Sequence, residues 1–208
     1  MTLTTIHGMN AFECVSAMQK CIRRGLEREA MEFVVELAHT SRNLATMVCN
    51  RLEIISHEDI GLADPFVVVF VRTACQQAMQ WYDADKIGKW RMPVGNAVRL
   101  MCRSAKSREG DHFQAAVGLR SLMDGFKPEI PDFACDMHTH KGRSLGRGIE
   151  HFMEEGTKLV PPDAEPDIYR DEAYKYWIRK HGSASRPQSK KTAPRQSQKL
   201  WEDADEGE

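Results

Sequence analysis

Apolar residues recur at three- and four-residue intervals along most of the chain as far as Met123, and that spacing predicts helices. Between Asn10 and Arg24, the residues Phe12, Val15, Met18, Cys21 and Ile22 share one helical face, with Gln19, Lys20 and Arg23 turned away from it. Gly25 stops that helix. A second period follows in Leu26, Ala30, Phe33, Val34, Leu37 and Ala38, and a third in Leu44, Met47, Val48, Leu52 and Ile55. The links between them are short, which implies antiparallel neighbours.

The run Phe66-Val67-Val68-Val69-Phe70-Val71 has the composition of a buried strand. Its pattern continues through Ala74, Cys75, Ala78 and Met79 to Trp81-Tyr82, too long for an ordinary strand, so it is predicted to be a helix buried all round in its first half. A further helix is expected to start near Pro93 and carry Val94, Ala97, Val98, Met101 and Cys102. After the polar turn Lys106–Gly110 the next runs through Phe113, Ala116, Val117, Leu119, Leu122 and Met123. Lys127-Pro128-Glu129-Ile130-Pro131 is an extended connector, because each proline disfavours the helical conformation of the residue before it. Beyond it, Asp132 to Thr139 forms a short helix, Gly142, Gly146 and Gly148 interrupt regularity, Ile149 to Glu155 is helical, and Tyr169 to Arg179 makes a last helix.

The expected class is all-α, a single domain of about six to eight helices. It covers residues 9–160, a helical extension spans 161–181, and 182–208 form a disordered tail, basic as far as Lys199 and then acidic to its end. Lysine and arginine total 29 against 30 acids, so any electrostatic partner must be sought in local clusters. No apolar stretch approaches the roughly 18 to 20 residues of a membrane span, and no signal-peptide pattern opens the chain. The expectation is a cytoplasmic protein that does not engage membranes, nucleoid-associated if bacterial or phage. Cys14, Cys21, Cys49, Cys75 and Cys102 lie in apolar helical patterns and read as reduced, buried thiols.

The most informative segment is Ser56-His57-Glu58-Asp59-Ile60-Gly61-Leu62-Ala63-Asp64-Pro65. It reads as a corner between helices: Gly61 supplies the positive φ that ends one, Asp64 caps the next, and Pro65 fits the first helical position. His57, Glu58 and Asp59 would also make an acid–base set, but no nucleophile accompanies them.

Two blocks, Ser16-Ala17-Met18-Gln19-Lys20-Cys21-Ile22-Arg23-Arg24-Gly25 and Glu58-Asp59-Ile60-Gly61-Leu62-Ala63-Asp64-Pro65, resemble the helical region that follows the ATPase core in the replication-associated recombination AAA+ proteins, the RarA/MgsA group related to Werner-helicase-interacting protein. Ala105-Lys106-Ser107 and Leu145-Gly146-Arg147-Gly148 are similar to further segments of that family, so the resemblance covers roughly residues 10 to 160. His57 departs from the family's serine, and the proline of its later turn is missing here. No Gly-x-x-x-x-Gly-Lys-Ser/Thr loop occurs in the chain, so the cradle that holds ATP phosphates is not encoded. The resemblance implies an oligomerisation or DNA-associated module of replication, recombination or repair, of a kind that a phage or plasmid would carry. It would be non-enzymatic, without a cofactor, and clamp-loader-like in its association with AAA+ machinery. The implied partners are DNA bound without sequence preference, a replication AAA+ ATPase or other replisome protein, and further copies of the chain.

Two cationic clusters are the phosphate-binding candidates. Lys141, Arg143 and Arg147, with His138 and His140, are interleaved with Gly142, Gly146 and Gly148, which would let backbone N–H groups approach an oxyanion ahead of a helix N-terminus. The rival is a structural turn whose cations pair with Glu150, Glu154 or Glu155. Lys20, Arg23, Arg24 and Arg28 form the second cluster, at the end of the first helix, where capping is the rival. Cys135, His138 and His140, completed by Asp136 or His151, offer metal-ligand spacing, with Cys135 and His138 on one helical face, and would suit a metal-dependent nuclease or hydrolase. In the tail, Arg186, Lys190, Lys191, Arg195 and Lys199 suit a flexible phosphate-contacting arm, and Trp201 an anchor for a partner.

Overall fold

In the computed structural model, which describes residues 3–84 and 87–181, the regular structure is helical; besides the helices there is an isolated antiparallel bridge between Thr4 and Asn10. Met1–Lys127 forms one compact unit, and a second begins at Pro128. The first unit holds α1 (Ala11–Arg23), α2 (Glu27–Thr40), α3 (Arg42–Asp59), α4 (Pro65–Asp83), α5 (Ile87–Arg103) and α6 (Glu109–Asp124). The second holds α7 (His140–Ser144), α8 (Ile149–His151), which runs into a π-helical turn at Phe152–Gly156, and α9 (Arg170–His181). No helix among the described residues is long and apolar enough to cross a membrane. The tail candidates Arg186, Lys190, Lys191, Arg195, Lys199 and Trp201 lie outside the described residues.

The ends of the helices follow local chemistry. Asn10 caps α1 by accepting from the N–H groups of Phe12 (2.9 Å) and Glu13 (3.3 Å). The other end closes as a Schellman turn: Gly25 takes φ +75°, its N–H reaches Ile22, and the Leu26 N–H reaches Cys21. Ser41 ends α2 and caps α3 by accepting from Leu44 N–H.

The core of the first unit is a layer of small and branched side chains from α1 to α5, with Met18, Ile22, Val34, Leu37, Leu52, Ile55 and Met101 fully enclosed. Two predicted details change. The first half of α4 is not buried all round: Val67 and Val71 face the core while Phe66 and Val69 are 65% exposed, because α4 lies at the surface and only one stripe meets α3 and α5. And α5 begins at Ile87, with Pro93 inside it, because Trp90 is buried in this first part of the helix with its ring against Tyr82 and His39. All six cysteines are unbridged, five of them buried, and burial pushes the Cys102 thiol up to about 11.

Candidate functional site

The three resembling segments of the first unit meet at one polar junction. Asp59, the last residue of α3, is 1% exposed and accepts from Arg23 Nε of α1 at 3.0 Å. Glu58 beside it accepts from Gln19 at 2.9 Å, from Arg23 at 3.3 Å and from Arg108 at 3.2 Å. The Asp59 backbone carbonyl receives the N–H of Ser107 at 2.9 Å, which fastens the turn before α6 to the corner. Arg51 extends the network by donating to Gln19 at 2.7 Å. Lys106, in the same turn, donates to the carbonyls of Met101, Cys102 and Ser104 and so caps the C-terminus of α5; burial draws its pKa down. Arg108 is held above its ordinary range by its bond to Asp111, whose carboxyl is lowered in return.

The junction reassigns several candidates. Arg23, expected to contact phosphate, has its guanidinium turned into two carboxylates of its own chain. Lys20 and Arg24 stay at the surface, Lys20 bonded to the Ser16 hydroxyl and Arg24 to the Lys20 carbonyl. Glu58 and Asp59 are both engaged with arginine, and His57 is exposed beside them. Gly61 has the expected positive φ of +51°, and Pro65 opens α4. Asp64 holds the capping position without a side-chain bond, because the Val67 N–H that such a cap would use bonds instead to the Asp64 carbonyl at 3.1 Å. Beside the corner runs an apolar groove of about 680 Å³ lined by Ile54, Leu62, Pro65 and Val69, with Gly110 and Gln114 of α6 on its far side.

In the second unit the glycine-rich turn is closed on itself. Arg147, only 18% exposed along its side chain, donates to the Asp132 carboxylate at 2.6 Å and to the carbonyls of Asp132 and Cys135, both at 2.8 Å. Arg143 donates to the carbonyls of Met137 and His138. The expected partners Glu150, Glu154 and Glu155 take neither arginine. Two of the backbone N–H groups expected to face an oxyanion are used inside the turn, Gly142 donating to Thr139 Oγ1 at 2.9 Å and Gly146 to Arg143 O at 3.0 Å, and the neighbouring Arg147 N–H donates to Gly142 O at 3.0 Å. Gly142 is a glycine for want of room, since a Cβ there would lie 1.8 Å from the Asp136 carbonyl oxygen. Lys141 remains exposed, with no carboxylate partner among the described residues.

The metal-ligand candidates do not share a helical face. Cys135 ends a single 3-10 turn and is buried, with its thiol 4.0 Å from Pro131 O. His138 lies in a turn, its ring 3.2 Å from Asp136 Oδ2 and edge-on to Phe152 at 4.8 Å; His140 is exposed at the first position of α7. Among the described residues no three of His, Cys, Asp and Glu gather around a common point. The acid next to the histidine does have a role: bonds from the His138 N–H and ring lower the Asp136 carboxyl.

Gln19, Arg51 and Arg108 were not singled out from the sequence, although they complete the junction. The available signal was charge pairing between segments, since Arg23 in one resembling block and Arg108 just past another face the acids of a third. Helical periodicity carries no information on such a contact, because it ranks positions by burial and says nothing of polar partners across elements.

No protein-family model matches the chain. Over 142 residues it is 30% identical to replication-associated recombination protein A of Bacillus subtilis (strain 168), a stretch that covers 67% of this chain and 32% of that protein. The chain is therefore related to that recombination protein, and the match spans about a third of the relative's length.

Proposed function

We propose that this chain is a motorless helical module of DNA replication or recombination, corresponding to the region that follows the ATPase core in its relative, and that it acts by self-association and by contact with DNA phosphates. The similarity to replication-associated recombination protein A carries this reading. The chain has no phosphate-binding loop, so in this reading it turns over no ATP and its mechanism is geometric. The junction at Glu58 and Asp59 fixes α1, α3 and the α5–α6 turn relative to one another, which keeps the surface presented to partners constant.

Phosphate contact falls to the candidate cations that the fold leaves at the surface without a carboxylate: Lys20, Arg24 and Arg28 in the first unit, Lys141 in the second. Each is a weak, sequence-indifferent contact, and several on one assembly give useful avidity. The test is equilibrium binding to single-stranded and duplex oligonucleotides across a salt series. Binding that weakens with salt, and weakens further with a shallower slope in Lys20→Glu/Arg24→Glu, supports the reading; wild-type protein that binds neither form at about 50 mM salt refutes its DNA half. A second reading, an adaptor that docks a replication ATPase, is favoured by the groove at the corner, where Leu62 is 91% exposed. Capture of a purified ATPase without DNA, lost in Leu62→Glu, would establish it.

A further inference from the structure

Helices α3 and α4 run back along one another from the corner, and their contacts keep one register. Glu53 and Arg72 pair at 2.5 Å on the corner side, and at the far end Arg42 holds both oxygens of Asp83, at 2.7 and 2.8 Å. Between these two ion pairs stand Cys49, ten residues before Asp59, and Cys75, ten residues after Pro65. Each thiol reaches across to the backbone of the other residue, Cys49 Sγ lying 4.0 Å from Cys75 O and Cys75 Sγ 3.7 Å from Cys49 O. The thiols also meet each other: the S–H of Cys75 donates to the Cys49 sulfur, which draws the Cys49 pKa down and pushes that of Cys75 up. Ala45 and Ala78, one turn on toward the far end, are small and buried, which lets the helices approach as a bridge requires, with Cα atoms about 4.4 to 6.8 Å apart.

We propose that Cys49 and Cys75 are a redox pair, which a peroxide closes into a disulfide that ties α3 to α4 behind the corner. Cys49 reacts first, being 6% exposed against 1% for Cys75 and having its thiolate stabilised by its neighbour's S–H. That thiolate attacks one peroxide oxygen, the O–O bond breaks, and the products are a sulfenic acid and water. The Cys75 sulfur then attacks the sulfenic sulfur, the S–O bond breaks, and the oxygen leaves as a second water with the Cys75 proton. The two thiols lose two electrons and two protons, and the peroxide is reduced to two waters. The loop closed by this bridge contains the whole corner, so oxidation restricts the opening of Ser56 to Pro65. In a reducing compartment such a bridge is transient, which suits a sensor. The inference goes beyond the proposed function and does not depend on DNA contact or self-association.

The full chain is exposed to hydrogen peroxide under native conditions, unfolded with an alkylating agent present, and digested without reduction. Expected are a peptide linked through Cys49 and Cys75, its reversal by dithiothreitol, and amide exchange across Ser56 to Pro65 at least about tenfold slower in the oxidised chain. Cys49→Ala and Cys75→Ala should each abolish the link and the slowing, and Cys102→Ala should keep both. Alanine matches the small residues already in the seam, and should either variant fail to fold, the peptide map of the wild-type chain still decides. The half-buried Cys21, the most open thiol, sets the dose. Cys49 and Cys75 both free once Cys21 is oxidised would overturn the inference, as would a bridge from either of them to another cysteine, or a sulfinic acid at Cys49 without a bridge. A link that leaves exchange at the corner unchanged would overturn the tie between the helices.

Discussion

Gly142 sits where the chain leaves no space for a methyl group, and that can be used to separate a structural turn from an anion cradle. In Gly142→Ala the new Cβ would lie 1.8 Å from the Asp136 oxygen, 2.4 Å from its carbonyl carbon and 2.6 Å from the Cys135 oxygen. Neither carbonyl can retreat freely. The Asp136 oxygen accepts from the Thr139 N–H at 3.1 Å and from its hydroxyl at 3.0 Å, and the Cys135 oxygen accepts from Arg147 at 2.8 Å. Overpacking costs about 1 to 3 kcal/mol, and the hydrogen bonds broken by the required shift add about 1 to 3 kcal/mol, the bond from the charged Arg147 contributing most. A loss of about 4 kcal/mol corresponds to roughly a thousandfold rise in local opening. Hydrogen exchange under native conditions reads it directly: peptides from Cys135 to Met153 should lose protection while those of α1 to α5 keep theirs. Gly146→Ala is the control, because φ is +72° there but nothing lies within 4 Å of the built Cβ, so only about 1 to 2 kcal/mol of backbone strain is expected. Protection in Gly142→Ala within about threefold of wild type would refute the reasoning, since 4 kcal/mol cannot hide in so small a factor. If Gly142 served phosphate approach instead, the alanine variant would fold normally and lose only DNA affinity.

At the junction, Asp59→Ala removes a buried partner of Arg23 and Arg108 and should destabilise the first unit by about 2 to 3 kcal/mol, Glu58 retaining part of the pairing; urea unfolding measures it, and a shift below about 0.5 kcal/mol would show the junction to be energetically idle. Glu36 is held below the usual carboxylate range by a bond from Thr5 and by the ring and N–H of His7, so the stability it adds is full above the ordinary carboxyl pKa of about 4.3 and fades as pH falls through the lower folded value. Amide exchange of Thr5 to Ala11, corrected for its intrinsic pH dependence, should therefore accelerate only in acid, and a flat profile down to about pH 3 would contradict this. Cys102, pushed up to about 11 by burial, should resist alkylation at pH 8 in the folded chain and react at once when unfolded; prompt labelling of the native protein at that residue would show that its burial is overstated.

The helices were legible because their apolar period is long and some ends carry local signals: Gly25 and Pro65 act where the sequence places them. Less legible was which way an apolar stripe faces. The run from Phe66 to Val71 is apolar on all sides, and only the surface position of α4 decides that Val67 and Val71 go in while Phe66 and Val69 stay out. In α6 the apolar residues Phe113, Val117, Leu119, Leu122 and Met123 read as a core helix, yet none of its sixteen residues is buried. Pro93 marks no boundary, because the burial of Trp90 favours the helical turns before it at the cost of a single missing N–H. Of the candidate sites, the corner could be placed from the chain alone; its polar partners could not, because Gln19 and Arg108 lie 39 and 50 residues from Glu58, Arg51 joins only through Gln19, and their register follows from packing.

The fate of the cations bears directly on the proposed function. Arginine presents a planar fork that suits carboxylates and clustered carbonyls, so in a chain with nearly equal acids and bases the folded state tends to occupy its arginines. Arg23, Arg108, Arg143 and Arg147 are all engaged in that way. The solvent-facing candidates left over are Lys20, Arg24, Arg28 and Lys141. Contacts this few neutralise phosphates without reading a base edge, so each protomer would release few counterions and gain little affinity. A DNA-associated role resting on so few contacts requires several protomers on one ligand. Hence DNA binding should be cooperative in protein concentration, and Lys20→Glu should lower apparent affinity and reduce its salt slope together; a non-cooperative isotherm with an unchanged slope would break the connection between assembly and DNA contact.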